Sequence, residues 1–296
     1  MNANPGIAAP SRSTRPMVRA RIARAFRSLA ALRGWQFLVN RLVPDHFASF
    51  IIRNGDTVFA GNIGSFIDRQ VYLFGGYESG QIGCFLSRIP AGRHRTILDV
   101  GANAGTHSLA FARVFETVHA FEPNPMLWPQ FERNMALNGL ANVCLHKLGL
   151  ADRDAELTPH LIDKPNYGLG TFSTVQQYDL PLRPVATCPV RHAGNYLAKI
   201  GAGPVDAVKI DVQGFEAEVL RGLADILKRD RPVIWCEIGA GTLVRIATTG
   251  ELSKLVPFEF RCFQIVSSSD WAGNSVGLRE RSGDLVSGDY MLIPGS

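Results

Sequence analysis

Two acids and two glycines between residues 99 and 122 carry the first chemical signal in this chain. Asp99 lies in an apolar run, 96-TILDV-100, that leads directly into 101-GANAG-105. Gly101 and Gly105 have no Cβ, so the backbone there can turn sharply and come close to a ligand. Asp99 offers a carboxylate to a cationic amine or an ordered water. Glu122 ends a second run, 117-TVHAFE-122, 23 residues after Asp99. A carboxylate at the end of a second strand accepts hydrogen bonds from both hydroxyls of a ribose. Together these features predict a site for an adenosine-containing cofactor. The spacing G-x-N-x-G lacks the third glycine of the dinucleotide fingerprint G-x-G-x-x-G. A nicotinamide-dependent oxidoreductase, which shares the acid on the second strand, is the alternative from another enzyme class.

A second group of residues suggests what happens beside that cofactor. Asp211 and Glu237 fall at the ends of 206-DAVKIDV-212 and 232-PVIWCEI-238. If both runs are parallel strands, the two carboxyls point into one crevice. They are candidates to orient or deprotonate an acceptor hydroxyl, or to share a divalent cation through oxygen ligands. His192, in an irregular stretch before residue 206, is the alternative base. His107 and His119 read as packing residues. Glu216 reads as a first-turn carboxylate that favours the helix dipole.

These residues need a scaffold, and the pattern supplies one. From residue 96 strand and helix signals alternate, with strands at 96–100, 117–122, 143–148, 206–212 and 232–238. One helix presents Leu127, Phe131 and Met135 inward. Another, over 215–228, presents Phe215, Val219, Leu223, Ile226 and Leu227. Repeated β–α–β units predict an α/β fold with a doubly wound, Rossmann-like, mostly parallel sheet. Ligands of such a sheet bind beyond the carboxyl ends of the strands, where strand order reverses. The runs 259–266 and 289–294 are expected to close the sheet as an antiparallel edge pair. Residues 1–46 form a basic arm, 47–95 a cap, and 96–296 the main domain. The acceptor pocket is expected from 47–90, from 160–180 with Tyr167, Phe172 and Tyr178, and from 240–296. The stretch 166-NYGLGTFS-173 reads either as a lid or as a plain surface loop.

Charge is distributed unevenly. The chain carries +5 overall, but residues 1–44 hold eight arginines and no acid, which leaves −3 on the remainder. A mildly acidic body argues against a nucleic-acid partner. Residues 17–33 read as a basic amphipathic helix resting on an anionic membrane surface, or as a solvated tail. No run reaches the roughly 18 apolar residues that span a bilayer, and Arg24 and Arg27 interrupt any secretory signal. The five cysteines have no CxxC spacing. They predict neither a zinc site nor a disulfide framework, and a cytoplasmic setting, with peripheral contact at the inner membrane face through the arm.

The runs 98-LDVGANAG-105, 121-FEPNP-125 with Asn138, and 208-VKIDVQGFEAEVLRG-222 resemble the successive signatures of the FkbM family of methyltransferases. The similarity covers roughly residues 77–240. The resemblance implies a class I methyltransferase sheet and S-adenosylmethionine as cofactor. Gly101, Asn103 and Gly105 would surround the methionine end with Asp99 nearby, Glu122 would hold the ribose, and Asp152 would lie near the adenine. It further implies O-methylation of a small-molecule or glycan acceptor: a hydroxyl on a sugar, glycolipid, polysaccharide or polyketide-type product. Two positions depart from the family pattern. Gln213 replaces the Glu of D-V-E-G. His192 and Gly194 replace the Thr and Asp of T-L-D-x-Y-L. Each departure removes an acid, which leaves open a non-catalytic member that binds the cofactor or a partner protein.

Overall fold

The computed structural model describes residues 48–158, 160–162, 170–171, 182–184, 186–270 and 273–295. The basic arm lies outside the described residues, as do Tyr167, Phe172 and Tyr178. Strands β1 (Ser49–Asn54) and β2 (Thr57–Asn62) form an antiparallel hairpin, followed by α1 (Phe66–Phe74) and α2 (Ser79–Leu86). Then come β3 (Thr96–Val100), α3 (Thr106–Phe111), β4 (Thr117–Phe121), α4 (Trp128–Leu137) and β5 (Val143–His146). The stretch that is hard to read in sequence holds short strands: β6 (Gly149–Ala151), β7 (Ala155–Leu157), β8 (His160–Ile162), β9 (Gly170–Thr171), β10 (Leu182–Pro184) and β11 (Cys188–His192). They make two small sheets, β6-β11-β7 and β10-β8-β9. The chain continues through α5 (Ala193–Lys199), β12 (Val205–Ile210), α6 (Glu216–Gly222), α7 (Ala224–Asp230), β13 (Val233–Ile238), α8 (Ala240–Leu243) and α9 (Thr249–Leu255). It ends with β14 (Phe260–Asp270), β15 (Gly273–Glu280) and β16 (Gly288–Pro294).

The main sheet has the order β15-β14-β16-β13-β12-β3-β4-β5. From β13 to β5 every neighbouring pair is parallel. Every residue of β3 and β12 is buried, as expected for central strands covered on both faces. From β3 the chain winds outward to β4 and β5, then returns to β12 and β13 on the other side of β3. Strand order therefore reverses between β3 and β12, and the crevice opens there. This is the doubly wound α/β architecture that the β–α–β repeats predict.

The carboxyl-terminal pairing follows the expectation in part. Strands β14 and β16 do pair antiparallel, but β16 inserts between β13 and β14, and β15 adds a further edge strand. The predicted helix over 215–228 is two helices that meet at Leu223. Gly222 lies against β6, where a Cβ would stand 2.0 Å from the Ala151 carbonyl oxygen. Glycine is also a weak helix former, so the break falls where the helix presses on the neighbouring backbone. Helix α4 starts at Trp128, which puts Pro129 in the first turn, where its missing N–H costs nothing.

The cap docks through asparagines. The Val58 and Ala60 N–H groups donate to Asn138 Oδ1 and Asn134 Oδ1, both at 2.8 Å. Asn138 returns a bond from Nδ2 to the Val58 carbonyl at 2.6 Å. Asn138, quoted with the FEPNP motif, thus satisfies the open edge of β2. Buried Asp68 accepts from the Asn62 N–H and from Gln130, and burial pushes its carboxyl up to about 6. His119 is mostly buried, with Nδ1 at 3.0 Å from His146 Nε2, while His146 Nδ1 lies 3.2 Å from the Tyr196 hydroxyl. Among the described residues no helix is long and apolar enough to cross a membrane.

Candidate active site

The glycine loop at the end of β3 is shaped by close approaches. Gly101 has φ +82°, and a Cβ there would stand 1.8 Å from the Asp211 carbonyl oxygen. Only glycine lets the ends of β3 and β12 come that close. The Gly101 and Ala102 N–H groups both donate to the Phe121 carbonyl at 3.0 Å, which ties the loop to β4. Gly105, φ +85°, precedes α3; a Cβ there would meet Met135 Cε at 2.8 Å and the Phe131 ring at 3.0 Å. Asp99 is fully buried beneath the loop. Its Oδ2 accepts from the Ser108 hydroxyl at 2.6 Å, whereas its buried Oδ1 receives no hydrogen bond. Lys209 Nζ, 3.6 Å from that oxygen, is an ion-pair neighbour rather than a donor.

Glu122 faces this loop from β4. Its Oε2 accepts the Asn103 N–H at 2.9 Å and its Oε1 accepts the Asn124 N–H at 2.8 Å. A carboxylate oxygen has two lone pairs, so each retains capacity for a ribose hydroxyl. Burial pushes the Glu122 carboxyl up to about 7, against the lowering effect of the two backbone bonds. The carboxylate form is the one that accepts from both hydroxyls. Affinity for an adenosine-containing ligand held at Glu122 is therefore expected to rise as pH climbs through about 7 and to fall below it. The loss on the acid side is about five- to tenfold, the difference between charged and neutral hydrogen bonds. Calorimetry from pH 5.5 to 8.5 measures this, and Glu122→Gln should bind more weakly with a flat profile.

Asp152 follows β6 and accepts from Arg221 at 2.9 Å and from Arg153 at 3.0 Å. Although partial burial opposes ionisation, the bond and charge of Arg221 hold its carboxyl below the ordinary value. His192 is the N-cap of α5: its ring Nδ1 accepts the Asn195 backbone N–H at 3.4 Å, and its backbone N–H donates to Asp154 Oδ1 at 2.7 Å. None of its described bonds reaches Asp211 or Glu237. Gly194 sits in that helix, where a Cβ would come within 3.3 Å of the Gly222 carbonyl oxygen.

Asp211 and Glu237 do meet, at the ends of β12 and β13. They are hydrogen-bonded to each other. Gln213 Nε2 donates to Asp211 Oδ1 and to Glu237 Oε2, both at 2.8 Å. Below them lies buried Lys209, which donates to the Gly101 carbonyl at 3.0 Å and stands 3.5 Å from Asp211. Burial opposes ionisation of both Lys209 and Asp211, but their mutual charge wins. Lys209 is held protonated, and the Asp211 carboxyl lies well below its usual range. The Asp211 charge, reinforced by burial, raises Glu237 far above its ordinary value. The two carboxyls therefore favour a single shared negative charge, with Asp211 the more acidic member.

A divalent cation between these two acids does not fit the donor set. The Gln213 NH2 donates to both carboxyls, and the Lys209 ammonium stands 3.5 Å from Asp211. Among the described residues no group of three or more His, Cys, Asp or Glu side chains is arranged to hold a metal ion. The expectation of a shared cation is corrected accordingly. The departure from D-V-E-G accounts for this: an amide replaces a third acid with a bridging donor.

Several site residues escape the sequence reading. Glu78, at the start of α2, pairs with His107 Nε2 at 3.0 Å. His107 therefore makes a polar contact as well as packing against Trp235 and Tyr77. Asp289 lies opposite Glu237 across β13 and β16 and accepts from Trp235 Nε1 at 2.9 Å. A signal existed for Lys209, a cation inside an otherwise apolar strand. No local pattern marks Glu78 or Asp289. The backbone marks Glu78 independently: four described non-glycine residues have positive φ, and three of them are Glu78, Asn103 and Gln213. Such strain costs about 1–3 kcal/mol per residue and gathers at functional sites.

Glu216 positions the Asp211–Gln213 loop. Buried at the start of α6, it accepts the N–H groups of Val212 and Gly214, both at 3.1 Å, and the Thr242 hydroxyl. Glu216→Gln would turn an NH2 against these donors. Leaving buried donors unpaired costs about 1–3 kcal/mol, so denaturant unfolding should show a loss of that order.

The fold defines a doubly wound α/β protein whose crevice carries a glycine loop and a buried carboxylate over β3 and β4 and a carboxyl pair over β12 and β13. Residues 99–252 match the methyltransferase FkbM domain, and the chain belongs to that family. It is 31% identical over 153 residues to methyltransferase 1 of Beauveria bassiana, covering 44% of this chain and 58% of that protein. It is 29% identical over 144 residues to the hexuronic acid methyltransferase AglP of Haloferax volcanii, covering 48% and 55%. The chain thus spans a little over half the length of these curated relatives. Among solved structures, a SAM-dependent methyltransferase from Agrobacterium tumefaciens aligns with TM-score 0.45 and 11% identity, over 85% of this chain and 72% of that one. The methyltransferase FkbM from Methylobacillus flagellatus aligns with TM-score 0.41 and 13% identity, over 76% and 52%.

Proposed function

We propose that this protein is an S-adenosylmethionine-dependent O-methyltransferase acting on a hydroxyl of a sugar or sugar-containing acceptor. The observation that carries the reading is the buried Asp99 Oδ1, an acceptor without a donor beneath a loop of two left-handed glycines. A buried carboxylate oxygen is costly without a donor, and the α-ammonium of an adenosyl amino acid supplies one. Glu122, on the opposite wall, suits the ribose of the same molecule. The sugar acceptor is supported by the name of the AglP relative.

The bound cofactor supplies an electrophilic methyl group on a sulfonium. The chain's own residues hold the acceptor oxygen in line with it and take the proton that the oxygen sheds. Placing the two reactants in line supplies much of the acceleration. Ionised Asp211 is too acidic to strip a free hydroxyl. In this reading it accepts the hydrogen bond of that hydroxyl and takes the proton as the forming carbon–oxygen bond acidifies the oxygen. Gln213 and Lys209 fix its orientation. Glu237, whose ionisation the Asp211 charge opposes, stands beside it on β13. The two acids lost relative to the family pattern are not needed for this scheme, because Asp211 and Glu237 both remain.

Calorimetry with purified protein tests the cofactor. S-adenosylhomocysteine and S-adenosylmethionine should bind with micromolar affinity and NAD should not. Binding of NAD alone would overturn the assignment. Incubation of a cell-envelope fraction with methyl-labelled S-adenosylmethionine then tests transfer, and absence of labelled product alongside intact binding would favour a non-catalytic member.

A further inference from the structure

The turn after β12 is built around one strained residue. Gln213 has φ +55°, in the left-handed region that residues with a Cβ rarely adopt, and Gly214 follows at φ +98°. Glu216 holds the turn by accepting the Val212 and Gly214 N–H groups, both at 3.1 Å. The side chain that this backbone presents reaches two acids. Gln213 Nε2 lies 2.8 Å from Asp211 Oδ1 and 2.8 Å from Glu237 Oε2. An amide NH2 carries two hydrogens, so one serves each carboxyl, and the ends of β12 and β13 are cross-linked through it. Where the FkbM pattern reads D-V-E-G, this chain reads 211-DVQG-214.

We propose that Gln213 is a positioning residue that stands in for a bridging cation: its amide locks Asp211 and Glu237 into one hydrogen-bonded unit and makes methyl transfer by this chain independent of divalent metal. The metal independence of the reaction rests on the methyl-transfer reading; the locking role concerns the folded protein alone. Two physical reasons carry it. A divalent ion bridging the pair would need lone pairs from oxygen ligands, whereas Gln213 turns hydrogens toward Asp211 Oδ1 and Glu237 Oε2. With an acid in its place, three carboxyls would converge, and like charges that close call for a proton or a cation among them. Glutamine lowers the count to two and supplies donors instead. Its hydrogen bond favours the ionised form of Asp211, and Lys209, 3.5 Å away, adds a resident positive charge. One amide in place of one carboxylate thus decides whether the turn after β12 holds a pair of acids or a cation.

The test uses the whole chain, with and without S-adenosylhomocysteine, and titrates Mg²⁺, Mn²⁺ or Ca²⁺ alone by calorimetry. The parent should give no saturable heat. Gln213→Glu should bind a single divalent ion at least about tenfold more tightly than the parent, through oxygen ligands. Adding Asp211→Asn to that variant should abolish the binding. A second variant, Gln213→Leu, keeps the two acids and removes the donors. By carbon NMR its carboxyl pair should lose the last proton about one to two pH units higher than in the parent, the worth of a hydrogen bond to a charged group. Lys209 on β12, His107 on α3, Glu78 at the start of α2 and Asp289 on β16 still surround the pair in that variant. The shift therefore reads Gln213, where a merely structural role would leave the titration unmoved. Chelation with EDTA should leave methyl transfer to the cell-envelope fraction unchanged. A parent that binds a divalent ion and loses it on Asp211→Asn would overturn the proposal. So would a folded Gln213→Glu variant that binds none, a Gln213→Leu variant with an unchanged titration, or transfer lost on chelation. Should Gln213→Glu fail to fold, the parent's cation titration and Gln213→Leu decide. Failure of S-adenosylhomocysteine to bind removes the methyl-transfer reading, while the cation titrations without it still judge Gln213.

Discussion

Asp211→Asn is expected to lower methyl transfer by about 10²–10⁴-fold, the usual contribution of a positioned general base, while leaving the cofactor affinity within a few-fold of the parent. The substitution is nearly isosteric. The asparagine oxygen can still accept from Gln213, and the backbone N–H that binds the Val100 carbonyl at 3.0 Å is unchanged. What disappears is the charge that faces Lys209 and Glu237 and that takes the proton in the proposed reading. Because that charge is the largest cause of the raised Glu237 carboxyl, the variant should also let Glu237 ionise at lower pH. The checks are single-turnover transfer of a labelled methyl group, calorimetry with S-adenosylhomocysteine, and a titration of Glu237 by carbon NMR. Full activity in the variant would remove Asp211 from the mechanism and move the search to Glu237.

Gly101→Ala is expected to be the most damaging single methyl group in the protein. The added carbon would stand 1.8 Å from the Asp211 carbonyl oxygen, on a backbone with φ +82°. Neither strand end can yield alone, because β3 and β12 are hydrogen-bonded along their length. Left-handed strain and overpacking each cost about 1–3 kcal/mol. A combined loss of several kcal/mol should lower the melting temperature by roughly 10 °C, at a few degrees per kcal/mol for a domain of this size. Binding of S-adenosylhomocysteine should fall more than tenfold even in the folded fraction, since the loop and Asp211 must separate. Gly139→Ala is the control. It has φ +63° and nothing within 4 Å of the new carbon, so it should show only the backbone cost of about 1 kcal/mol and bind the cofactor normally.

These two predictions draw on different kinds of information. Asp211 is visible in the sequence as an acid ending an apolar run, and its candidacy needs only the rule that parallel strands end on one side. Gly101 is visible as a glycine after a strand, but the reason it must be glycine is not. The atom that excludes its Cβ belongs to residue 211, and only the paired β3 and β12 bring the two together.

The same division runs through the whole protein. Strand and helix periodicity, the glycine loop and the acid on the second strand are local, and local pattern determined the doubly wound class and which residues gather around the loop after β3. Asp99, Gly101, Asn103, Gly105 and Glu122 all stand around the loop where their spacing placed them. The break at Leu223, the insertion of β16 and the gathering of acids beside Asp211 were decided by tertiary contact. Gly222 presses on β6, β16 enters the sheet beside β13, and Glu78 and Asp289 arrive from opposite ends of the chain. Charges gathered from positions 78, 211, 237 and 289 leave no periodicity to read, because the interaction that gives them meaning acts through space across a shared crevice.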